Sequence, residues 1–390
     1  MQRVEVHGAV TEVMVAGAGP VGLTAALALA EAGIGVTVVE KRPALSAASR
    51  ASTFHPPTLA ILHRLGVLEE VHHRGQVADR VQYRTPDGIF AEFALADLGG
   101  ETRFPYRLHL EQAQVTPIIL ERLTGFRNAR VLFDAEVQHV AQQGPRVVVR
   151  VRHGAGHETI DADWLIAADG SRSEIRTSLG IDFEGEEYPD KILRVMTTDD
   201  LGALLPGIAP VTYLWNGGKS VSFLRMPDCW RIILRVPRDV DEAQALAPDW
   251  IFARLREVMP HLERMPSVAM KDIYGVAKRV ATRYRDGRVL LAGDSAHVTN
   301  TRGGMNMNCG MHDAYAIARA IVESRGDARL VEEAADERRR VATQMLIPRT
   351  DRNVAGGKDW LDHVRTTAAD RDKAVALLRT TAMLDMAPAP

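Results

Sequence analysis

The sequence predicts an α/β fold: one discontinuous nucleotide-binding domain, an inserted β-rich domain and a C-terminal helical segment. Three observations predict it. A short apolar strand runs into Gly17-Ala18-Gly19-Pro20-Val21-Gly22 and then into an Ala/Leu-rich helix. Two further strand–turn units of nucleotide-binding type follow far along the chain, at residues 164–180 and 288–322. Between them, residues 188–237 alternate apolar and polar positions, as in Arg231-Ile232-Ile233-Leu234-Arg235-Val236. That is the period of a half-buried strand.

In the first unit each glycine has a physical task. Gly17 permits the tight turn, Gly19 lets a pyrophosphate approach the backbone, and Gly22 lets helix and strand pack closely. The helix that opens at Pro20 and Val21 offers free N–H groups to phosphate. A second strand, Gly35–Val39, ends in Glu40, whose carboxylate suits ribose hydroxyls rather than a 2′-phosphate; Lys41 joins the same set. The second unit is the strand Trp164–Ala168 ending in Asp169-Gly170, followed by Ser171, Arg172, Ser173 and Arg176. In the third, Arg288–Ala292 ends in Gly293-Asp294, and Ser295-Ala296-His297 leads through a loop to Gly303-Gly304-Met305-Asn306 and a helix.

The connecting stretches read more plainly. Thr53–Leu68, Gln112–Leu123 and Trp250–Met259 have helical periodicity, while Arg130–Val140, Arg146–Val151 and a return strand over Val268–Val280 look extended. From Asp327 onward the composition is helical and highly charged, as expected of a solvated cap. The nucleotide-binding domain is therefore assigned to residues 1–80, 100–185 and 285–345, the β-rich domain to 81–99 and 186–284, and the helical segment to 346–390.

Composition narrows the function. With a net charge of −2 and interspersed signs, no nucleic-acid footprint is expected. No apolar run reaches the roughly 18 residues of a membrane span, and no signal peptide is visible, so a cytoplasmic protein is expected. Cys229 and Cys309 read as two reduced thiols, and no metal site is expected.

With the three motifs in this order, the chain resembles the group A, para-hydroxybenzoate-hydroxylase-like FAD-dependent aromatic monooxygenases over roughly residues 12 to 345. The resemblance implies a Rossmann-like FAD-binding domain of glutathione-reductase type around the inserted substrate domain. It implies that Asp294 bonds the ribityl chain of FAD, and that Gly304, Met305 and Asn306 pass beneath the pyrimidine edge of the flavin. The helix after them would stabilise charge on N1 of the reduced ring. Asp169 would serve FAD placement, Arg50 and Gln112 would contact the cofactor, and Val137 would lie by the adenine.

The activity so implied uses NADH or NADPH and O2 to hydroxylate a phenolic, amino- or heteroaromatic ring, carboxylated or not, through a flavin C4a-hydroperoxide. The enzyme would be a monomer or homodimer. A flavoprotein oxidase or reductase without productive oxygenation, and a non-catalytic FAD-binding protein, stand as alternatives. Tyr188, Met196, Tyr213, Trp215 and Phe223 are candidate pocket residues, and Arg225 resembles an arginine that anchors a substrate carboxylate. For deprotonating a phenol, His55, His109 and Tyr213 are candidates among which the sequence does not choose. Two features depart from the family. Asn300 and Thr301 replace its proline or prolines, and no thioredoxin-like extension follows, which implies a core-only enzyme.

Overall fold

The computed structural model describes residues 11–48, 51–355 and 358–388. Among them, a six-stranded sheet runs in the order 285–286, 289–291, 164–167, 13–16, 36–40, 129–133. All its pairs are parallel except the first, at the edge. Strands Val13–Ala16, Trp164–Ala167 and Val289–Leu291 are buried throughout, as a parallel sheet covered on both faces requires. Their adjacency puts the C-terminal ends of the three motif strands side by side. Ligands of open parallel sheets bind at those ends.

A seven-stranded sheet forms the second layer, in the order 270–274, 190–197, 230–237, 219–225, 211–216, 80–85, 88–94. Strand pleating sorts its side chains. One face carries Leu193, Val195, Leu214, Phe223, Ile232 and Leu234 into a core closed by the helix Pro248–Val258. The other face carries Arg194, Tyr213, Ser222, Leu224, Arg231, Ile233 and Arg235 toward the nucleotide-binding domain.

Three expectations need correction. The strand over 130–140 is two, Ala129–Phe133 at the edge of the six-stranded sheet and Ala135–Gln143 in a separate three-stranded one. The return strand over 268–280 is two strands: Met270–Tyr274 edges the large sheet, and Ala277–Ala281 pairs with Phe183–Glu187 and His297–Val298. The chain changes sheets at Gly275 and Val276, which apolar content alone could not mark. Nor is the charged C-terminal region a solvated cap. Val331, Ala335 and Arg338 recur at helical spacing and are buried, and Val364 and Leu378 pack on Phe93, Leu95 and Trp215. The charges lie mostly on the other faces of these helices, and a composition count does not see phase.

Candidate active site

A cavity of about 880 Å3 opens where the two layers face each other. That lies toward the upper end of the roughly 300–1,000 Å3 usual for ligand sites. Its walls come from all three motifs and from the large sheet.

At the first motif, Gly17 has φ +105°, and a Cβ there would lie 2.3 Å from the Ala168 carbonyl oxygen. A Cβ on Gly22 would lie 2.0 Å from the Gly17 carbonyl oxygen. Both are glycines because backbone meets backbone. Gly19 differs: nothing lies within 4 Å of a Cβ built there. The helix Pro20–Glu31 begins with no side-chain cap and no acidic residue in its first turn, so its N–H groups stay available to an anion. Glu40 accepts from the backbone N–H of Ala18 at 2.9 Å and of Arg42 at 3.1 Å, which fixes its carboxylate at the cavity edge. Lys41, Gln112 and Val137 also line the cavity. Arg50 lies outside the described residues.

At the second motif, burial pushes the Asp169 carboxyl above the usual carboxylate range. Its Oδ1 atom is buried with no partner among the described residues. Arg176 donates to the Ser295 and Ser171 carbonyl oxygens at 3.0 and 3.1 Å, tying the second motif to the third.

At the third motif, Asp294 faces the cavity and accepts from Asn306 Nδ2 at 2.9 Å. Behind them runs a buried chain. Asn306 Oδ1 accepts from His297 Nδ1 at 3.1 Å, and His297 Nε2 donates to Asp313 Oδ2 at 2.8 Å. Arg338 Nε donates to Asp313 Oδ1 at 2.7 Å. Burial opposes the charge on His297, yet Cys309 and Asp313 hold it well above the usual histidine range. Burial likewise opposes the Asp313 carboxylate, and His297 and Arg338 together still hold it below its usual value.

The sequence offered no metal-type cluster, but the fold assembles one: His297, Cys309 and Asp313 place ligand atoms within 4.8 Å of one another. Arg338 already supplies the cation, donating to Asp313 and, at 3.3 Å, to Cys309 Sγ.

Among the proposed pocket residues, Tyr188 and Tyr213 line the cavity. Arg225 does not. It follows Leu224 on the strand, so the pleat turns it to the opposite face, where it stacks on Trp230 at 5.5 Å. Phe223 is core for the same reason, Met196 lies outside the lining, and Trp215 lines only a narrow side crevice. His55 and His109 are fully buried beside the site rather than in it. His55 Nε2 donates to the Gly303 carbonyl and His109 Nδ1 to the Arg225 carbonyl, and burial lowers both, His109 to about 4. Neither is placed to take a proton from a ligand in the cavity.

Sequence reasoning missed the cationic wall: Arg194, Arg231, Arg235, Arg107 and Arg302. Arg231 pairs with Glu111 and donates to Ser52 Oγ at 2.9 Å, and Arg194 pairs with Asp272 at 2.6 Å. Strand parity was the available signal for Arg231 and Arg235, which share a face with Ile233. No local signal marks Arg302.

A model of the family described as FAD binding domain matches residues 10–347. The 6-hydroxy-3-succinoylpyridine 3-monooxygenase HspB of Pseudomonas putida (strain DSM 28022 / S16) is 32% identical over 385 residues, covering 94% of this chain and 96% of that protein. The chain belongs to the FAD-dependent aromatic monooxygenases. The para-nitrophenol 4-monooxygenase of Pseudomonas sp. (strain WBC-3) is 29% identical to this monooxygenase over 365 residues, with 89% and 87% of the two chains covered. The crystal structure of p-nitrophenol 4-monooxygenase PnpA from Pseudomonas putida DLL-E4 superposes with a TM-score of 0.86 at 26% identity, covering 95% of this chain and 96% of that one.

The residues present fit FAD. The space at Gly19, the uncapped helix behind it and the orphaned Asp169 oxygen each ask for a partner that a dinucleotide carries. The monooxygenase also has no described helix long and apolar enough to cross a membrane.

Proposed function

We propose that this monooxygenase acts on a ring already bearing a hydroxyl group, with NADH or NADPH and O2 as co-substrates. Ring C–H, O2, the reduced nicotinamide and a proton become ring C–OH, water and the oxidised nicotinamide. Bound FAD would accept the hydride and activate the oxygen. The chain's part is to bind the ring, exclude water and draw the phenolic proton away, because a phenolate is the better nucleophile.

One observation carries this reading. Tyr188 lines the cavity, and its hydroxyl accepts from Asn300 Nδ2 at 2.9 Å and donates to Asp351 Oδ1 at 2.5 Å. Asp351 Oδ2 in turn meets Lys278 Nζ at 3.0 Å. Thr299 also lies beside the Tyr188 hydroxyl, but Thr350 donates to the Leu346 carbonyl at 3.1 Å, so the Thr299 hydrogen goes to Thr350 Oγ1 at 2.5 Å and Tyr188 keeps one of its two lone pairs for a substrate O–H. The substrate proton then passes to Tyr188 Oη as the Tyr188 proton passes to Asp351. Burial and then Asp351 raise Tyr188 above the usual tyrosine range, which suits a relay rather than a standing base. Asn300, where the family carries proline, is the residue that orients Tyr188; its own Oδ1 is fixed by the Arg302 N–H at 3.0 Å. Arg194, Arg231 and Arg235 line the same cavity, and guanidinium groups there favour a phenolate. The two relatives are named for a nitrophenol and a hydroxy-succinoylpyridine, each with a hydroxyl on its ring.

Phenols and hydroxypyridines should raise NAD(P)H consumption by the FAD-loaded enzyme at least about tenfold and give a product one oxygen heavier. Consumption that yields only H2O2 with every ring tried would sink the proposal. Tyr188→Phe should lower kcat about a hundredfold near neutral pH, the usual scale of proton-transfer catalysis. The loss should shrink as the pH rises through the pKa of the substrate itself, with KM little changed. A pH-independent loss would make Tyr188 structural.

A further inference from the structure

A narrow crevice of about 30 Å3 lies beside the cavity, lined by Tyr83, Arg107, Tyr213, Trp215, Arg302 and Trp360 among others. It shares Arg107, Tyr213, Arg302, Gly303 and Met305 with the main cavity, so the two are neighbours with these residues between them. Its charged groups are both cations, Arg107 and Arg302. Arg302 gives one bond each to the Ser220 hydroxyl at 2.7 Å and the Asn353 carbonyl at 3.2 Å, and lies 5.0 Å from the Trp215 ring centroid. Arg107, 3% exposed, gives one bond to the Thr381 carbonyl at 3.2 Å. Neither guanidinium meets a carboxylate among the described residues. The Arg107 Nε and Trp215 Nε1 hydrogens are buried with no acceptor.

Buried cations are normally paired, and a buried donor left unmet is costly. Burial, and then the like charge of Arg235, depress Arg302 to about 10, so the arginine is held in a place that disfavours its charge. Among the described residues Arg235 pairs with Asp190, at 3.8 Å. The crevice exceeds the roughly 10–15 Å3 that one enclosed water needs, which leaves room for the two oxygens of a carboxylate and not for a ring.

We infer that Arg302, Arg107 and Trp215 form an anion subsite that receives the carboxylate of an acidic side chain on the substrate ring. This rests on the hydroxylase reading for the word substrate, but its test reads binding, not turnover. A substrate with such a tail is anchored by a charge-assisted contact that a tail-less phenol lacks.

The test titrates FAD-loaded enzyme, by calorimetry and flavin absorbance, with 3-(4-hydroxyphenyl)propionate, its neutral amide and 4-nitrophenol. The acid should bind ten- to a hundredfold tighter than the amide, the scale of hydrogen bonds to charged groups. Arg302→Met should bring the acid to the level of the amide, and Arg302→Lys should restore part of the difference. Trp215→Phe should cost the acid about threefold, and Arg225→Ala, on the far face of the sheet, should cost nothing. Flavin content and unfolding temperature verify that each variant is folded. Acid and amide binding alike to the wild type, or falling together in Arg302→Met, would overturn the subsite. So would loss of FAD from Arg302→Met, which would give the guanidinium to the cofactor. Added chloride that binds wild type but not Arg302→Met, while acid and amide bind alike, would make it a halide site and overturn the assignment too. If these affinities behave as expected while no ring supports NAD(P)H-dependent hydroxylation, the subsite stands and the hydroxylase reading falls.

Discussion

Gly19→Val is expected to purify as folded, colourless protein. Nothing lies within 4 Å of a Cβ at this position, and its φ of −75° is one that valine adopts readily. Loss of stability in the cofactor-free protein should therefore be about 1 kcal/mol or less, the scale of an unfavourable N-cap. The new isopropyl group instead fills the approach to the uncapped helix N-terminus, where a pyrophosphate must touch backbone. Gly17→Ala makes the contrast. Its Cβ would strike the Ala168 carbonyl from a left-handed backbone, so that variant should lose both flavin and fold. Flavin absorbance per mole of protein, with denaturant unfolding of the apoprotein, separates the two. A Gly19→Val protein that keeps stoichiometric flavin would contradict the assignment of this turn to the cofactor.

Arg338→Met is expected to cost about 3–5 kcal/mol of stability, the usual result of stripping one partner from a buried ion pair. Arg338 and Asp313 are 3% and 0% exposed, so water cannot replace the lost guanidinium. The neighbouring histidine gives the pH dependence its sign. The His297 pKa is raised by folding, so its contribution is complete below the ordinary histidine value and is lost as pH rises through the elevated one. The Asp313 pKa is depressed, so its contribution is complete above the ordinary carboxylate value and is lost as pH falls through the depressed one. Denaturant melts across pH should show both limbs in the wild type, with His297→Gln removing the alkaline limb and shrinking the acid one, because His297 also holds Asp313 down. A flat profile, or a loss below 1 kcal/mol in Arg338→Met, would mean that the chain from Arg338 to Asn306 does not hold the third motif.

The motifs were legible because each is local. A strand, a turn needing glycine and a helix start lie within fewer than twenty residues, and their chemistry follows from that short stretch. What was not legible depends on pairings across the chain. Arg225 was chosen by spacing along the strand, and only the pleat, referred to a known face, shows that Arg231 and Arg235 point inward instead. Asn300 was visible as a departure, but its meaning needed Tyr188 and Asp351, which come from distant segments. Arg338 read as one charge among many on a polar helix; its burial is decided by Asp313, 25 positions earlier. Arg107 sits in an unremarkable strand, Arg107–His109, and gains its place only when the C-terminal helices close over it.

Those helices have an evolutionary and engineering consequence. Trp360 and Thr381 form the far wall of the crevice, while the groups nearest the FAD turn come from other segments. Selectivity for the tail of a molecule can thus drift through changes in the last turns of the chain without disturbing the redox centre. Grafting this region between related enzymes is the natural way to exchange what they accept while keeping how they oxidise it.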